Sequence, residues 1–412
     1  MLTAATGCGG GGASHTPGLD AEIDRLVVDA GTDAQGDVAA LDAVGLDARA
    51  EGDAADAANA DGEQGGDAGS PADGGRPGIM VVATYLGGIS SFTVDTSGAP
   101  TPAGTPLDAD AQFYAVTAHP TGSFVYAADF RGRVYGYRVN RDDGVLAPVP
   151  HSPLIIGGQA ITAAIDPQGR VLYVGNSGDD LLYVYSIEGT TGALTAVDGS
   201  PFTLGAVPAG IAFHPTAALA FVSSAALSTA GGGGIHVFNL DASGRPAGEI
   251  ADSPFFPTLF GGALVMHPSG KFLYDSAFGV HAYTIAPGGA LNEPADSPHL
   301  GAASDNSAID IAVDPSGQHL YASSNSSGTV TAYGVDATGA FTKVEGSPFD
   351  GGPMAYSVAI DRAGRFLYVG NDDADEVSVF PLDPGTGALR QAITRSPFVV
   401  HGLQPEIVLI GP

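Results

Sequence analysis

A short phrase recurs along this chain and restricts its fold more than any other sequence feature. The clearest copy is DRAGRFLYVGN at residues 361–371, and related copies begin at His119, Asp166, His214, His267 and Asp314. Successive copies lie about 50 residues apart, a period that is typical of repeat architectures. The chain is therefore expected to fold as an array of similar units rather than as several unrelated domains.

Each complete repeat predicts four short strands. Strand one is an apolar run before the turn, as in residues 210–213, and strand two is the Leu-Tyr-Val run after it. Strand three alternates with period two, as in residues 377–380, so one of its faces packs against a neighbouring sheet. A glycine turn, a short strand four and a Ser-Pro or Thr-Pro pair complete the unit. The glycine turn and the proline pair each occur seven times, which indicates seven units.

The two ends of the repeated region complement each other. The first unit begins at Ile79 with strand two and lacks strand one, whereas residues 404–410 form a strand one with no repeat after it. Pairing residues 407–410 with residues 79–85 closes a ring and leaves only short, protected sheet edges. The predicted fold is an all-β, seven-bladed β-propeller of four-stranded blades over residues 78–412.

The segment before the repeats has a different composition. Residues 9–77 are rich in Ala, Asp and Gly, and 15 acidic residues face three arginines there. Such a segment buries too little apolar surface to offset the entropy of ordering, so we expect a disordered tether. Residues 5–8, Ala-Thr-Gly-Cys, resemble the end of a bacterial lipoprotein signal. We interpret residues 1–8 as a truncated signal end with Cys8 as the lipidated residue; the alternative is an incidental cysteine.

The overall charge limits the partners that the chain can attract. With 15 Lys and Arg against 45 Asp and Glu, the formal net charge is −30. A chain of this charge repels nucleic acid and anionic membrane surfaces. We expect a monomer without a cofactor that binds a small polar ligand or an envelope protein. Its predicted location is the cell envelope of a bacterium, lipid-anchored in the periplasm or on the surface, or outside the cell.

Histidines and carboxylates in the repeats raise the question of a metal site. His119, His214 and His267 occupy equivalent turns in three blades, so they lie on separate spokes and are interpreted as turn caps. The acidic loop at residues 371–376 lacks a recognised calcium spacing. We therefore predict no metal site.

Residues 79–412 resemble the propeller lactonase family, also called YVTN-repeat proteins, which includes the bacterial propeller type of 6-phosphogluconolactonase. The resemblance rests on Asp-Pro-x-Gly-Arg-x-Leu-Tyr-Val-x-Asn, the Val-x-Val-Phe strand and the Thr-Gly-Ala-Leu turn. It implies the propeller fold and lactone hydrolysis in a central cleft by histidines, an arginine and a glutamate. Aligned on the proline of each turn, those family positions fall on Ala115, Thr162, Ala209-Gly210 and Ser224-Ala225, and none of them matches.

Polar residues at the starts of strand one are the best candidates for a site, because these starts face the axis of a propeller. The ligand-binding candidates are Gln112, Tyr114, Gln159, Thr162, Asp305, Asn306, Tyr356 and Ser357. Asp310 and Glu406, which we place on neighbouring positions of the ring, are the catalytic acid/base candidates. A water-filled funnel without a ligand is the alternative interpretation.

Three functions remain open at this point. The first is an envelope-tethered propeller that binds a ligand or partner without the family's catalytic residues. The second is a lactonase of the 6-phosphogluconolactonase type that hydrolyses a sugar lactone in the central cleft. The third is a structural surface protein. The missing family residues favour the first function, and a polar pocket that collects Asp310, Tyr356 and Glu406 would favour the second.

Overall fold

The computed structural model describes residues 76–226, 233–256, 261–277, 279–294, 297 and 308–411. Its strands form seven antiparallel sheets of four or five strands each. We number these blades 1 to 7 in the order of their second strands, and the fold confirms the predicted seven-bladed propeller. Cys8, the predicted tether, Asp305 and Asn306 lie outside the described residues.

The strands of each blade follow one order from the centre outwards. The inner strands of blades 1 to 7 are Leu403–Ile410, Phe113–Ala118, Ala160–Ile165, Val207–Phe213, Leu264–Met266, Ile311–Val313 and Ala355–Ile360. The second strands are Gly78–Tyr85, Phe124–Asp129, Val171–Asn176, Leu219–Ala225, Phe272–Asp275, His319–Ser324 and Phe366–Asn371. The third strands are Gly88–Val94, Arg133–Val139, Leu181–Ile187, Gly234–Leu240, His281–Ile285, Thr329–Val335 and Glu376–Pro381.

The outer strands are short, as the sequence predicts. They are Pro100–Pro102, Leu146–Pro148, Leu194–Ala196, Pro246–Glu249, Leu291–Asn292 and Phe341–Lys343. After the Ser-Pro pair, two more residues pair with the third strand in four blades, at Leu154–Ile155, Phe202–Thr203, Phe349–Asp350 and Phe398–Val399. The Ser-Pro pair therefore does not end the sheet. The helix found in the described part of the chain is the 3₁₀ turn Asp372–Ala374, and no helix there is long enough to cross a membrane.

The chain closes its ring between its two ends. The strand Leu403–Ile410 pairs with Gly78–Tyr85, with Ile79 opposite Ile410 and Ala83 opposite Glu406. A second contact crosses the same boundary, since the Tyr368 hydroxyl of blade 7 donates to the Gly98 carbonyl of blade 1 over 3.0 Å. Equivalent tyrosines join other blades: Tyr126 donates to Gly192, Tyr173 to Gly244 and Tyr321 to Gly387.

In blades 2 to 7, the serine of the Ser-Pro pair ties the outer part of the blade to its third strand. Its hydroxyl oxygen accepts a backbone N–H from that strand, for example from Val184 to Ser200 over 2.9 Å. The bond recurs at Ser152, Ser253, Ser297, Ser347 and Ser396. The sequence pattern is thus explained by the serine as well as by the proline.

The turn histidines cap their own turns and reach the next blade. His119 Nδ1 lies 2.8 Å from Thr121 Oγ1, and Nε2 lies 2.9 Å from the Gly169 carbonyl. His267 makes the same pair of contacts, to Ser269 and to the Gly317 carbonyl. Among the described residues, no group of three or more His, Cys, Asp or Glu side chains is arranged to hold a metal ion.

The antiparallel order of each blade gives the propeller two ends. The start of every inner strand and the hairpin between the second and third strands lie at the same end, which we call the upper end. The His/Asp turns and the glycine turns lie at the opposite end. The upper end therefore collects the starts of the inner strands, where the sequence analysis placed its candidates.

Candidate functional site

One position on each inner strand is equivalent in all seven blades. It lies opposite the residue that follows the buried Leu-Tyr-Val core of the second strand, as Ser357 lies opposite Gly370. In blades 1 to 7 this inner-ring position holds Glu406, Ala115, Thr162, Gly210, Ala263, Asp310 and Ser357. Two acidic side chains thus stand on a ring whose other members are small and uncharged.

Asp310 is held as a carboxylate acceptor between two blades. Its Oδ1 accepts the Ile311 N–H over 2.8 Å, and its Oδ2 accepts the Val358 N–H of blade 7 over 2.9 Å. Burial raises its pKa to about 6, although these two hydrogen bonds act in the opposite direction. At neutral pH Asp310 is therefore mostly ionised and close to its titration range.

Glu406 experiences the charge of Asp310 across the ring. Burial is the main cause that raises its pKa well above the ordinary glutamate value, and the charge of Asp310 is the second. The sequence analysis was wrong to place the two on neighbouring positions, because Ser357 of blade 7 lies between them on the ring. The long Glu406 side chain brings the two carboxyl groups within electrostatic reach. Of the two acids, Glu406 is the one whose pKa the charge of the other raises.

Tyr356 and Ser357 belong to blade 7, which lies between the blades of the two acids, and their side chains have different surroundings. Ser357 is buried, and its hydroxyl donates to the Pro405 carbonyl of blade 1. Tyr356 stays partly exposed. Burial raises its pKa well above 10, followed by the charges of Glu406, Tyr114, Asp372 and Asp310. Its phenol is therefore protonated at all pH values of interest, so it remains a hydrogen-bond donor.

Blade 2 adds an aromatic group beside these acids. The rings of Tyr114 and Phe130 stack with their centroids 4.9 Å apart, and Tyr85 meets Tyr114 edge-on at 5.8 Å. Gln112 Nε2 donates to the Tyr85 hydroxyl over 3.0 Å. Burial raises the pKa of Tyr114 to about 12, with Tyr85 and Asp372 as smaller causes. Two predicted residues, Gln112 and Tyr114, thus lie in this cluster.

Asp372 joins the cluster from the hairpin of blade 7. Its Oδ1 accepts the Gln404 N–H over 2.8 Å, which ties this hairpin to the start of the last strand. Burial raises the pKa of Asp372, and so do the charges of Asp373 and Asp375. The sequence analysis considered Asp372 only as part of the acidic loop at residues 371–376, and it did not select Tyr85 or Phe130, because its ligand-binding candidates came from the starts of strand one. Their place just after strand two, at the same end of the blade, is a signal that the repeat alignment already contained.

The residues of the cluster come from four consecutive blades. We call blades 6, 7, 1 and 2 the carboxyl arc, and blades 3, 4 and 5 the opposite arc. The predicted residues Gln159 and Thr162 lie in the opposite arc. The Gln159 N–H donates to Asn176, and its side-chain oxygen lies 3.3 Å from the Ser177 hydroxyl, so its contacts are local. Thr162 is 9% exposed.

Several polar groups of the carboxyl arc have unused hydrogen-bonding capacity. Within the described part of the chain, no hydrogen-bond partner is found for the side chains of Tyr114, Tyr356 and Glu406. All three residues are partly exposed. Polar groups without protein partners in a half-buried, solvent-accessible place are suited to binding a ligand.

Acids and tyrosines dominate the electrostatics of the cluster. The charges that shift the pKa values of Glu406, Tyr356, Tyr114 and Asp372 come from acids and tyrosines. Arg131 and Arg133 lie in the upper hairpin of blade 2, where Arg133 pairs with Asp129 and Arg131 donates to the Asp110 carbonyl. Such a site favours neutral or cationic ligands over anions. Chemically, it combines an ionised acid, a protonated acid and a phenol that can donate.

Comparison with known proteins gives a consistent family. The family model described as lactonase, 7-bladed beta-propeller, matches residues 80–277 and 263–401. The 6-phosphogluconolactonase of Erwinia tasmaniensis is 26% identical over 320 residues, covering 71% of this chain and 89% of that protein. The corresponding enzyme of Enterobacter sp. strain 638 is 24% identical over 323 residues, with the same coverage of 71% and 89%.

Solved structures agree in fold. A putative 6-phosphogluconolactonase from Bacteroides fragilis superposes with a TM-score of 0.68 at 21% identity, covering 83% of this chain and 100% of that structure. The periplasmic gluconolactonase of Pseudomonas aeruginosa superposes with a TM-score of 0.64 at 19% identity, covering 81% and 99%. At these identities the solved structures support the fold alone. The chemistry must be inferred from the residues of the site.

Proposed function

The chain belongs to the lactonase family of seven-bladed β-propellers, and from this premise we propose that it hydrolyses an uncharged sugar lactone between Asp310 and Glu406. One observation carries the proposal. Two acids on the inner ring have different surroundings, because Asp310 accepts two backbone N–H bonds whereas Glu406 has no hydrogen-bond partner among the described residues. A pair of acids whose surroundings separate their protonation states supplies a base and an acid at one pH.

Asp310 acts as the general base. In its ionised form it takes a proton from a water molecule as the water oxygen attacks the lactone carbonyl carbon. Its two backbone donors hold the carboxylate in one orientation. A pKa of about 6 leaves it ionised near neutral pH, yet basic enough to assist proton transfer.

Glu406 acts as the general acid. When the tetrahedral intermediate collapses, the bond from the carbonyl carbon to the ring oxygen breaks, and the Glu406 proton passes to that oxygen. The product is an open-chain hydroxy acid, and a proton then passes from Asp310 back to Glu406. The raised pKa of Glu406 keeps its proton available for this step near neutral pH.

Tyr356 stabilises the charge that develops on the carbonyl oxygen. It lies next to both acids, and its raised pKa keeps the phenol protonated. A neutral donor aimed at a developing oxyanion lowers the barrier, and removal of one such donor typically costs about 10²–10³-fold in rate. Asp310, Glu406 and Tyr356 together provide the three functions that opening a lactone needs.

The charge of the site selects among lactones. The relatives from Erwinia and Enterobacter described above are named 6-phosphogluconolactonase. The lactone in that name carries a phosphate group. No Arg or Lys affects the pKa values of the cluster. A phosphorylated lactone would therefore meet several acidic groups, while Arg133 of blade 2 is already paired with Asp129 and Arg131 donates to the Asp110 carbonyl, so an uncharged lactone fits better.

The second candidate function is the binding role that the sequence favours. Its support is the inner ring itself, where Ala115, Thr162 and Gly210 occupy the family's catalytic positions and offer no acid or base. In that case the cluster binds a polar ligand without turnover. The candidates differ in one respect, because only the hydrolase requires ionised Asp310 and protonated Glu406 together.

A lactone panel tests the proposed function. The full chain is assayed with D-glucono-1,5-lactone and its 6-phosphate by proton release, with the spontaneous rate subtracted. We expect turnover of the neutral lactone above the spontaneous rate. If neither lactone is turned over but the non-hydrolysable analogue D-glucono-1,5-lactam binds, the result would instead support the binding role.

The envelope location is a separate proposal. Its support is the Ala-Thr-Gly-Cys sequence at residues 5–8 and the acidic segment that follows it. Labelling of the chain with a fatty-acid analogue in a bacterial host, with Cys8→Ser as the control, tests this tether. Incorporation that survives Cys8→Ser would contradict it.

A further inference from the structure

The aromatic group of blade 2 is not used by the proposed acid–base steps. Tyr114 stacks on Phe130 at 4.9 Å, and Tyr85 supports it edge-on at 5.8 Å. Tyr85 ends the second strand of blade 1 and Phe130 directly follows the second strand of blade 2, so aromatic residues of two blades contact the Tyr114 ring. Tyr114 is thereby fixed as a flat surface, and it remains partly exposed.

The position of Tyr114 has an equivalent in every blade. It precedes the inner-ring position, and in blades 1 to 7 it holds Pro405, Tyr114, Ile161, Ala209, Gly262, Ile309 and Tyr356. Aromatic residues at this position occur in blades 2 and 7 of the carboxyl arc. The opposite arc has an aliphatic residue, an alanine and a glycine there. The aromatic surface thus lies on the same side of the ring as the two acids.

The polar edge of this aromatic surface carries hydroxyl groups that can hydrogen-bond to a ligand. Gln112 donates to the Tyr85 hydroxyl, which leaves the hydroxyl proton free to donate further. No hydrogen-bond partner of the Tyr114 hydroxyl is found within the described residues. A flat apolar face bordered by hydroxyl groups matches a sugar ring, which has C–H faces and a hydroxyl edge.

We infer that Tyr114, supported by Phe130 and Tyr85, is the surface on which the ring of the substrate lies, so that the substrate is a six-membered, uncharged sugar lactone. The inference rests on the proposed function for the word lactone, whereas the ring-binding surface stands on its own geometry. Tyr114 determines ring binding, and Asp310 and Glu406 act on the carbonyl group.

The test uses a ring that the protein cannot open. D-glucono-1,5-lactam, a neutral analogue, is titrated by calorimetry into the full-length wild type, Tyr114→Ala, Tyr114→Phe and Ile161→Ala. Ile161 is the matched control, because it occupies the equivalent position of blade 3 in the opposite arc. We expect Tyr114→Ala to weaken lactam binding about tenfold, Tyr114→Phe about twofold, and Ile161→Ala to leave it unchanged.

Kinetics separate this inference from the proposed function. With D-glucono-1,5-lactone, Tyr114→Ala should raise KM about tenfold and change kcat by less than about threefold. Lactam binding that depends on Tyr114 without any hydrolysis keeps the ring surface and overturns the hydrolase. If the lactone is hydrolysed and Tyr114→Ala leaves KM unchanged, the proposed hydrolase is kept and the ring surface is overturned. No lactam binding to the wild type, or equal binding to a folded Tyr114→Ala, overturns the ring surface; thermal melts establish the folding.

Discussion

The two arcs of the ring share one backbone and differ in chemistry. In both arcs the inner strand pairs with the second strand in the same register, as Thr162 faces Gly175 and Ser357 faces Gly370. At the inner-ring position, however, the carboxyl arc holds Asp310 and Glu406, and the opposite arc holds Thr162, Gly210 and Ala263. The repeat therefore fixes where a side chain stands, while each blade decides separately what it does there.

This difference also bears on the family resemblance. The sequence analysis aligned the family's catalytic residues with Ala115, Thr162, Ala209-Gly210 and Ser224-Ala225, which lie in blades 2 to 4. The acids of this chain stand in blades 6 and 1. If the chain opens lactones, its acid–base pair lies largely across the ring from the family's positions, on a scaffold that offers seven equivalent places.

The largest expected effect is the loss of the base. Asp310→Asn should lower kcat for D-glucono-1,5-lactone by about 100-fold or more, because general base catalysis contributes roughly 10²–10⁴-fold. The matched control is Thr162→Val at the equivalent position of the opposite arc, which should stay within about twofold of wild type. If kcat fell equally in Asp310→Asn and Thr162→Val, the claim that the two arcs differ in catalytic role would be wrong.

The next effect is the pH dependence of kcat/KM. Asp310 must be ionised, and burial places its pKa at about 6. Below pH 6 the ionised fraction falls, so kcat/KM should fall about tenfold per pH unit. At higher pH a second fall should follow as Glu406 loses its proton, since its pKa is raised but finite. A rate that stays flat from about pH 4 to 6 would exclude Asp310 as the base.

A smaller effect concerns substrate charge. The phosphorylated lactone should be used about tenfold less efficiently than the neutral one, because acids dominate the cluster and Arg133 of blade 2 is already paired with Asp129. Asp372→Asn removes one of these charges and should reduce the discrimination about two- to threefold. Asp179→Asn in the corresponding hairpin of blade 3 is the control. A preference for the phosphorylated lactone would reverse the argument.

The smallest effect compares one structural bond in the two arcs. The Tyr368 hydroxyl of blade 7 donates to Gly98, whereas the equivalent Tyr274 hydroxyl of blade 5 is buried and has no hydrogen-bond partner among the residues that the structure describes. Tyr368→Phe should therefore lower the free energy of unfolding by about 1 kcal/mol, and Tyr274→Phe should change it by about zero. Chemical denaturation measures both values. A larger loss in Tyr274→Phe would mean that the bonding pattern is misassigned.

The fold was predictable from the sequence because each blade repeats the same signals. The unmatched strand at residues 404–410 and the unit that begins at Ile79 predicted the ring closure that the structure confirms. What the repeat did not reveal are contacts between blades. The bond from Tyr368 to Gly98 joins residues 270 positions apart, and no local pattern announces it.

The site was predictable only in part, for a geometric reason. Of the candidates taken from strand-one starts, Tyr114 and Tyr356 lie in the cluster, whereas Gln159 bonds locally. Phe130 was not selected and Asp372 was weighed only for calcium, because both follow strand two, although the antiparallel strands return them to the same end. The sequence analysis also placed Asp310 and Glu406 on neighbouring positions, whereas the inner strand of blade 7 lies between them.

The central claim is that Glu406 and Asp310 act as one acid–base pair in the carboxyl arc. The most direct measurement is the hydrolysis rate of D-glucono-1,5-lactone by full-length wild type, Glu406→Gln and Thr162→Val at pH 7. The account predicts turnover above the spontaneous rate in wild type and Thr162→Val, and a loss of about 100-fold or more in a folded Glu406→Gln. Full turnover in Glu406→Gln, or none in the wild type, would contradict it.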